Sequence, residues 1–265
     1  MSRLQISSFR DQKNLFVPYI MAGDPNLEAS IDIALTLQES GAHALEWGVP
    51  FSDPLADGPV IQAAGDRARK NGMNILKAID GVKEARKKGL EIPVILFTYI
   101  NPVLAVGEEE IIKKMREAEI DGLLVPDLPT EESGPLRELC GNANISLISL
   151  VALSSLERME KISSVSEGFL YFVSSYGVTG VRENFSEKLP DTLEYLKTKT
   201  DIPVLIGFGV SKKEHVNYFN SISDGVIVGS ALVKIIAKNE KQLIHEKYRK
   251  DALNEINEFV TELIS

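Results

Sequence analysis

Cysteine is almost missing from this chain. Cys140 stands alone among 265 residues, which excludes an internal disulfide and any zinc site built on thiolates. Histidine is nearly as scarce, and His43, His215 and His245 share no metal-ligand spacing, so no metal site is expected. Positive charge is in deficit, with 29 Lys and Arg against 38 Asp and Glu and a net charge of −9. A nucleic-acid partner asks for a basic stripe, so none is expected. No apolar run reaches membrane-spanning length, and Met1 to Lys13 is polar and charged, unlike a secretory leader. The default is a soluble, cytoplasmic protein with no membrane partner. No linker, low-complexity tract or second composition regime interrupts the chain, so residues 1–265 read as a single domain.

What the chain does have is alternation. Short β-branched, apolar runs read as strands at Phe16–Met21, Ala44–Gly48, Val94–Tyr99, Gly122–Pro126, Ser146–Val151, Phe169–Ser174, Pro203–Gly207 and Gly225–Val228. Each is nearly continuous in hydrophobicity, as a strand covered on both faces must be. Amphipathic stretches lie between them, including Asn26–Ser40, Glu108–Glu119, Leu156–Val165 and Lys212–Ile222. Strands that alternate with helices pair in parallel through right-handed crossovers. An open doubly wound sheet would carry a Gly-rich turn after its first strand; here that turn is Ala22-Gly23-Asp24-Pro25. The α/β fold expected is therefore a (β/α)8 TIM barrel. Met1–Asn14 reads as an extra N-terminal helix under the barrel, and Glu240–Ile264 as a C-terminal helix.

In such a barrel, chemistry sits where strands end. Read in order, those ends are Asp24, Glu46, Tyr99 with Asn101, Asp127, Ser174 with Ser175, Gly207-Phe208-Gly209, and Gly229-Ser230. No strand ends in Lys, which argues against a Schiff-base lyase. Carboxylates, a tyrosine and backbone dipoles remain. Glu46 closes an apolar strand, where an ionised carboxylate is costly unless paired or used. Burial beside Leu45 and Trp47 is expected to raise its pKa toward neutrality, as a general acid/base requires. The alternative is an ion pair with an Arg or Lys from a neighbouring layer. The loop that follows, Phe51-Ser52-Asp53-Pro54-Leu55-Ala56-Asp57-Gly58-Pro59, presents two more acids on a restricted backbone. Asp53 suits turn chemistry, whereas Asp57 can accept a substrate N–H or balance positive charge on it.

The glycines late in the chain form a second signal. Gly207-Phe208-Gly209 and Gly229-Ser230 end consecutive strands, where backbone N–H groups and a helix N-terminus commonly hold phosphate. Ser230 alternatively serves only as the cap of that helix. Ser174 to Asn184 reads as a mobile lid, from which Gly180 could add a phosphate donor and Thr179 could tie to the acidic loop.

Phe51-Ser52-Asp53-Pro54, Ala56-Asp57-Gly58-Pro59, Gly177-Val178-Thr179-Gly180, Gly207-Phe208-Gly209 and Gly229-Ser230 together strongly resemble the tryptophan synthase alpha chain family. The resemblance runs from about Phe16 to Lys238. It implies retro-aldol cleavage of indole-3-glycerol phosphate to indole and glyceraldehyde 3-phosphate, within tryptophan biosynthesis. By the same resemblance, Glu46 is the general acid/base and Asp57 its partner carboxylate. Tyr19 and Tyr171 form pocket walls, and Gly180, Phe208, Gly209, Gly229 and Ser230 bind phosphate. The chain itself needs no cofactor; the implied partner is the pyridoxal-phosphate-dependent beta chain, in an αββα assembly. Departures from the family pattern are His43, Trp47, Leu153-Ser154 and Tyr176. Trp47 is expected to point away from Glu46 by strand alternation. The competing readings are another phosphosugar barrel, an isomerase or epimerase, and a non-catalytic activating subunit.

Overall fold

The eight hydrophobic runs form eight parallel strands that pair in chain order and close on themselves. The computed structural model describes residues 2–152, 155–173, 189–207 and 209–265. The strands are β1 (Leu15–Met21), β2 (Leu45–Gly48), β3 (Val94–Phe97), β4 (Gly122–Leu124), β5 (Ser146–Ala152), β6 (Leu170–Val173), β7 (Val204–Gly207) and β8 (Gly225–Val228). Closure comes from β8 returning beside β1, with Leu15 opposite Gly225 and Pro18 opposite Val228.

Around the barrel run α2 (Leu27–Glu39), α3 (Pro59–Lys70), α4 (Ile75–Lys87), α5 (Ile100–Val106), α6 (Glu108–Glu117), α7 (Gly134–Asn142), α8 (Leu156–Ser164), α9 (Leu189–Lys197), α10 (Lys213–Ile222) and α11 (Ser230–Lys238). Before them lies α1 (Ser7–Arg10), and after them α12 (Glu240–Ile244) and α13 (Glu246–Ile264). Several starts are fixed by side-chain caps: Asn26 accepts the Ala29 N–H at 2.8 Å and Asn74 the Lys77 N–H at 3.1 Å.

Because strand side chains alternate between faces, the barrel has two cores. The inner one holds Leu15, Val17, Ile95, Leu124, Tyr171, Leu205 and Ile227, and is plugged from below by Leu4 and Phe9. The outer one, between strands and helices, holds Phe16, Ile20, Leu45, Trp47, Leu96 and Leu123 with the apolar faces of the helices. This alternation corrects one sequence expectation. Leu45 and Trp47 belong to the outer core, so they do not surround the Glu46 carboxyl. Trp47 points away from it, as expected, and its Nε1 donates to the Ala78 carbonyl in α4 at 3.0 Å.

Both ends of the chain also differ from expectation. The N-terminal segment is a 3-10 turn (Arg3–Gln5) and the single-turn α1, separated by Ile6 in extended conformation, rather than one helix. Its anchor is Asp121, which accepts from Arg3 N at 3.1 Å and whose carbonyl accepts from Ser2 Oγ at 2.8 Å. Pinning the chain there favours a short plug over a continuous helix. The C-terminal helix breaks at His245, which is extended. Arg249 stabilises the break by donating to the Leu243 carbonyl at 2.8 Å and to Asp32 and Glu28 of α2. His43 accepts the Phe16 N–H through Nδ1 at 3.0 Å, at the entry to β1. It thus serves as a hydrogen-bond acceptor for the backbone, remote from the strand ends.

Candidate active site

Register places Glu46 between Tyr19 of β1 and Ile95 of β3, facing the barrel axis. It is 1% exposed, and its Oε1 has no hydrogen-bond partner among the described residues. No Arg or Lys pairs with it among those residues, so the ion pair that was the structural alternative is not found there. Burial alone pushes its pKa up to about 8. A buried carboxyl oxygen left without a partner is destabilising, so its environment points to use rather than to support.

Asp57 comes from the loop between β2 and α3 and is 7% exposed. Burial raises its pKa to about 6, and a hydrogen bond from Tyr99 opposes that rise. Tyr99 is the residue that sequence reasoning left without a role. Its hydroxyl also accepts the Ala56 N–H at 3.1 Å, and its ring lies 5.4 Å from that of Phe51. One side chain at the end of β3 therefore holds the acidic loop at three points. Gln62 of α3 secures the exit by donating to the Asp57 carbonyl at 2.7 Å. Asp53, by contrast, is exposed and accepts from Ser52 Oγ at 2.5 Å, which is turn chemistry.

Tyr19 and Tyr171 flank the carboxylates. Burial raises both hydroxyl pKa values well above normal, and the charges of Glu46 and Asp57 add to the effect. Each ring fits because a strand-end glycine makes room: a Cβ on Gly48 would collide with the Tyr19 hydroxyl, and one on Gly207 with that of Tyr171. A glycine at an inward-facing strand-end position, two residues after Glu46 or Leu205, was the available signal, and only the structure shows which side chain it admits.

Beyond the acids the cavity is apolar, lined by Ile61, Phe97, Pro126, Leu150 and Ile227. Gly209, Val210, Gly229, Ser230 and Ala231 also line it. Here α11 begins, with Gly229 as the capping residue and no side-chain cap. Ser230 is the first helical residue, so the sequence-based alternative of a Ser230 cap is corrected. The first-turn N–H groups of α11 have no intrahelical acceptor and form the positive end of the helix dipole. No Lys or Arg lines this cavity among the described residues. The structure thus gathers Tyr19, Glu46, Asp57, Tyr171, Gly209, Gly229 and Ser230 around one space; Thr179, Gly180 and Phe208, with the lid segment, lie outside the described residues. No group of three or more His, Cys, Asp or Glu among the described residues is placed to hold a metal.

Two further strand-end residues are accounted for. Asp127 accepts the Ile100 N–H at 2.9 Å and so holds the start of α5, which contains Asn101. Asp24 is taken by Arg67, whose Nε and Nη2 donate to its two carboxylate oxygens at 2.7 and 2.8 Å.

Comparison with known proteins gives a single answer. The family model described as tryptophan synthase alpha chain matches residues 7–262. The tryptophan synthase alpha chain of Halalkalibacterium halodurans is 49% identical over the whole of both chains. That of Bacillus subtilis is 51% identical over 93% of this chain and 92% of its own. Among solved structures, the tryptophan synthase α2β2 complex of Pyrococcus furiosus contains a chain that superposes with a TM-score of 0.85. It is 36% identical, over 96% of this chain and 98% of that one. The alpha subunit from Legionella pneumophila gives a TM-score of 0.83 at 32% identity, over 95% and 91%. The chain belongs to the tryptophan synthase alpha chain family.

Proposed function

We infer that this chain is a carbon–carbon lyase of tryptophan biosynthesis that cleaves indole-3-glycerol phosphate into indole and glyceraldehyde 3-phosphate. Family membership supports the reaction, and the carrying structural observation is Glu46. A buried carboxyl with a pKa of about 8, its Oε1 without a partner among the described residues, lines an apolar cavity that also takes in a helix N-terminus. That layout matches a flat heterocycle joined to a phosphate. An isomerase or epimerase of phosphosugars has no use for the apolar slot or for Asp57 beside Glu46.

The chemistry follows from the two acids. Near neutral pH Glu46 holds its proton, which it delivers to C3 of the indole ring. The ring becomes cationic at its N–H, and ionised Asp57 stabilises that charge where it develops. The bond from C3 to the adjacent glycerol carbon then breaks. Its electron pair restores the aromatic indole, while the hydroxyl on that carbon becomes the aldehyde and yields its proton to the Glu46 carboxylate. Glu46 ends as it began, so carboxylates suffice for this step and the chain itself is assigned no cofactor. Tyr19 and Tyr171 bound the ring, and Gly209, Gly229 and Ser230 receive the phosphate with Phe208 and Gly180; the role assigned to Thr179 is to tie the lid to the acidic loop.

We place the protein in the cytoplasm in a complex with a tryptophan synthase beta chain, which would carry the pyridoxal phosphate. The related Pyrococcus furiosus chain occurs in an α2β2 complex. Leu55 in the acidic loop and Leu104 in α5 stand 77% and 56% exposed beside the barrel mouth, apolar surface suited to a partner. No helix among the described residues is long and apolar enough to cross a membrane. The test is turnover of indole-3-glycerol phosphate against pentulose phosphates. Indole release only from the former supports the assignment, and turnover of a pentulose phosphate alone overturns it.

A further inference from the structure

His215 is the third residue of α10, and its Nδ1 lies 3.1 Å from the carbonyl oxygen of Gly209. Because a carbonyl only accepts, Nδ1 carries the proton and donates it. The contact follows from helix geometry. Side chains lean toward the N-terminus of their helix, so a residue in the first turn of α10 reaches back over the segment leaving β7.

The residue it holds is the one least able to hold itself. Gly209 has φ +84°, in the left-handed region, and lacks the Cβ that would restrict rotation of the peptide that follows. That peptide joins Gly209 to Val210, and both residues line the cavity beside the α11 N-terminus. In a trans peptide, C=O and N–H point to opposite sides. With the carbonyl fixed on His215, the Val210 N–H faces the other way. A flipped peptide would exchange the two dipoles and turn a carbonyl oxygen away from α10, where it would oppose an anion.

We propose that His215 is a positioning residue for substrate phosphate: it fixes the Gly209 carbonyl away from the anion and thereby sets the polarity of that wall. This rests on the assignment of phosphate to Gly209, Gly229 and Ser230. His215 is not among the described residues that line the cavity, so its influence belongs to binding and not to the proton transfers.

The test compares His215→Phe, His215→Asn and Ser230→Asp in the full chain, with folding checked by circular dichroism. Asn places an N–H donor at the same point along the side chain as Nδ1, whereas Phe keeps the ring without the donor. His215→Phe is expected to raise KM for indole-3-glycerol phosphate about five- to tenfold, the loss of one neutral hydrogen bond. Inorganic phosphate should weaken as a competitive inhibitor by the same factor, with kcat and the affinity for indole unchanged. His215→Asn should restore KM to within about twofold of the parent. Parental KM in His215→Phe, equal losses for indole and phosphate, or no rescue by Asn would overturn the proposal. Should His215→Phe fail to fold, His215→Ala carries the same comparison. Ser230→Asp separates the two levels: if it abolishes phosphate inhibition while His215→Phe is parental, only the role of His215 falls. If Ser230→Asp leaves phosphate inhibition intact, the phosphate assignment itself falls, and the role of His215 with it.

Discussion

Tyr99 hydrogen-bonds the Asp57 carboxylate with the same hydroxyl that receives the Ala56 N–H at 3.1 Å. A residue at the end of one strand thus orients an acid carried by the loop of the strand before it. The bond favours ionised Asp57, since it works against the rise caused by burial.

Tyr99→Phe should therefore lower kcat about tenfold, as one hydrogen bond to a charged group is lost. It should also move the acid limb of the pH profile upward, because a stabiliser of the carboxylate has gone. Asp57→Asn should lower kcat while leaving KM little changed, the signature of an interaction made in the transition state. Steady-state kinetics across pH checks both. An unchanged acid limb in Tyr99→Phe would show that the bond does not set the charge of Asp57.

The two acids predict the pH dependence of the reaction. Asp57 must be ionised and Glu46 protonated, with pKa values of about 6 and about 8. A plot of kcat/KM against pH should be bell-shaped between those values. A profile still rising at about pH 9 would contradict the assignment of the acid to Glu46.

Much of this was legible in the sequence. The strand order, Glu46 at the end of β2 and the late glycines follow from hydrophobic runs and punctuation, which are local. Tyr99 was visible as a strand end but its role was not, because the link to Asp57 spans separate elements. The same holds for Gly48 and Gly207, whose missing side chains matter only through Tyr19 and Tyr171. Leu45 and Trp47 show the limit of reasoning from neighbours: adjacent residues in a strand face different cores, so what desolvates Glu46 comes from other strands. The helix α5 escaped notice because it is a short segment whose start is held by Asp127, far along the chain.

Asp24 illustrates a strand-end acid with a structural task. It is 2% exposed and receives two bonds from Arg67 of α3, the helix that directly follows the acidic loop. Asp24→Ala leaves a guanidinium without its partner. It should cost about 3 kcal/mol, the lower end for a broken buried pair because the Arg67 side chain keeps 21% exposure. Denaturant unfolding measures this, and a loss below about 0.5 kcal/mol would mean that the pair does not anchor α3.

Glu46 also ties stability to pH. Its folded pKa lies above its value in the unfolded chain, so between about pH 4.5 and 8 the unfolded state loses a proton that the folded state keeps. The stabilisation is full below the unfolded pKa and is lost as pH rises through the folded one. Glu46→Gln removes this dependence and should be more stable than the parent at pH 8 by more than about 1 kcal/mol. Parallel stability curves for the two proteins would place the Glu46 pKa near its unperturbed value.

Turnover of indole-3-glycerol phosphate by Glu46→Gln, measured with the beta chain present, tests the central claim most directly. The amide keeps the shape of the side chain and removes its titratable proton. The predicted result is a fall in kcat of about 10²- to 10⁴-fold, with KM within about threefold of the parent. A variant that releases indole within a few-fold of the parental rate would contradict the assignment of Glu46 as the acid and base of the reaction.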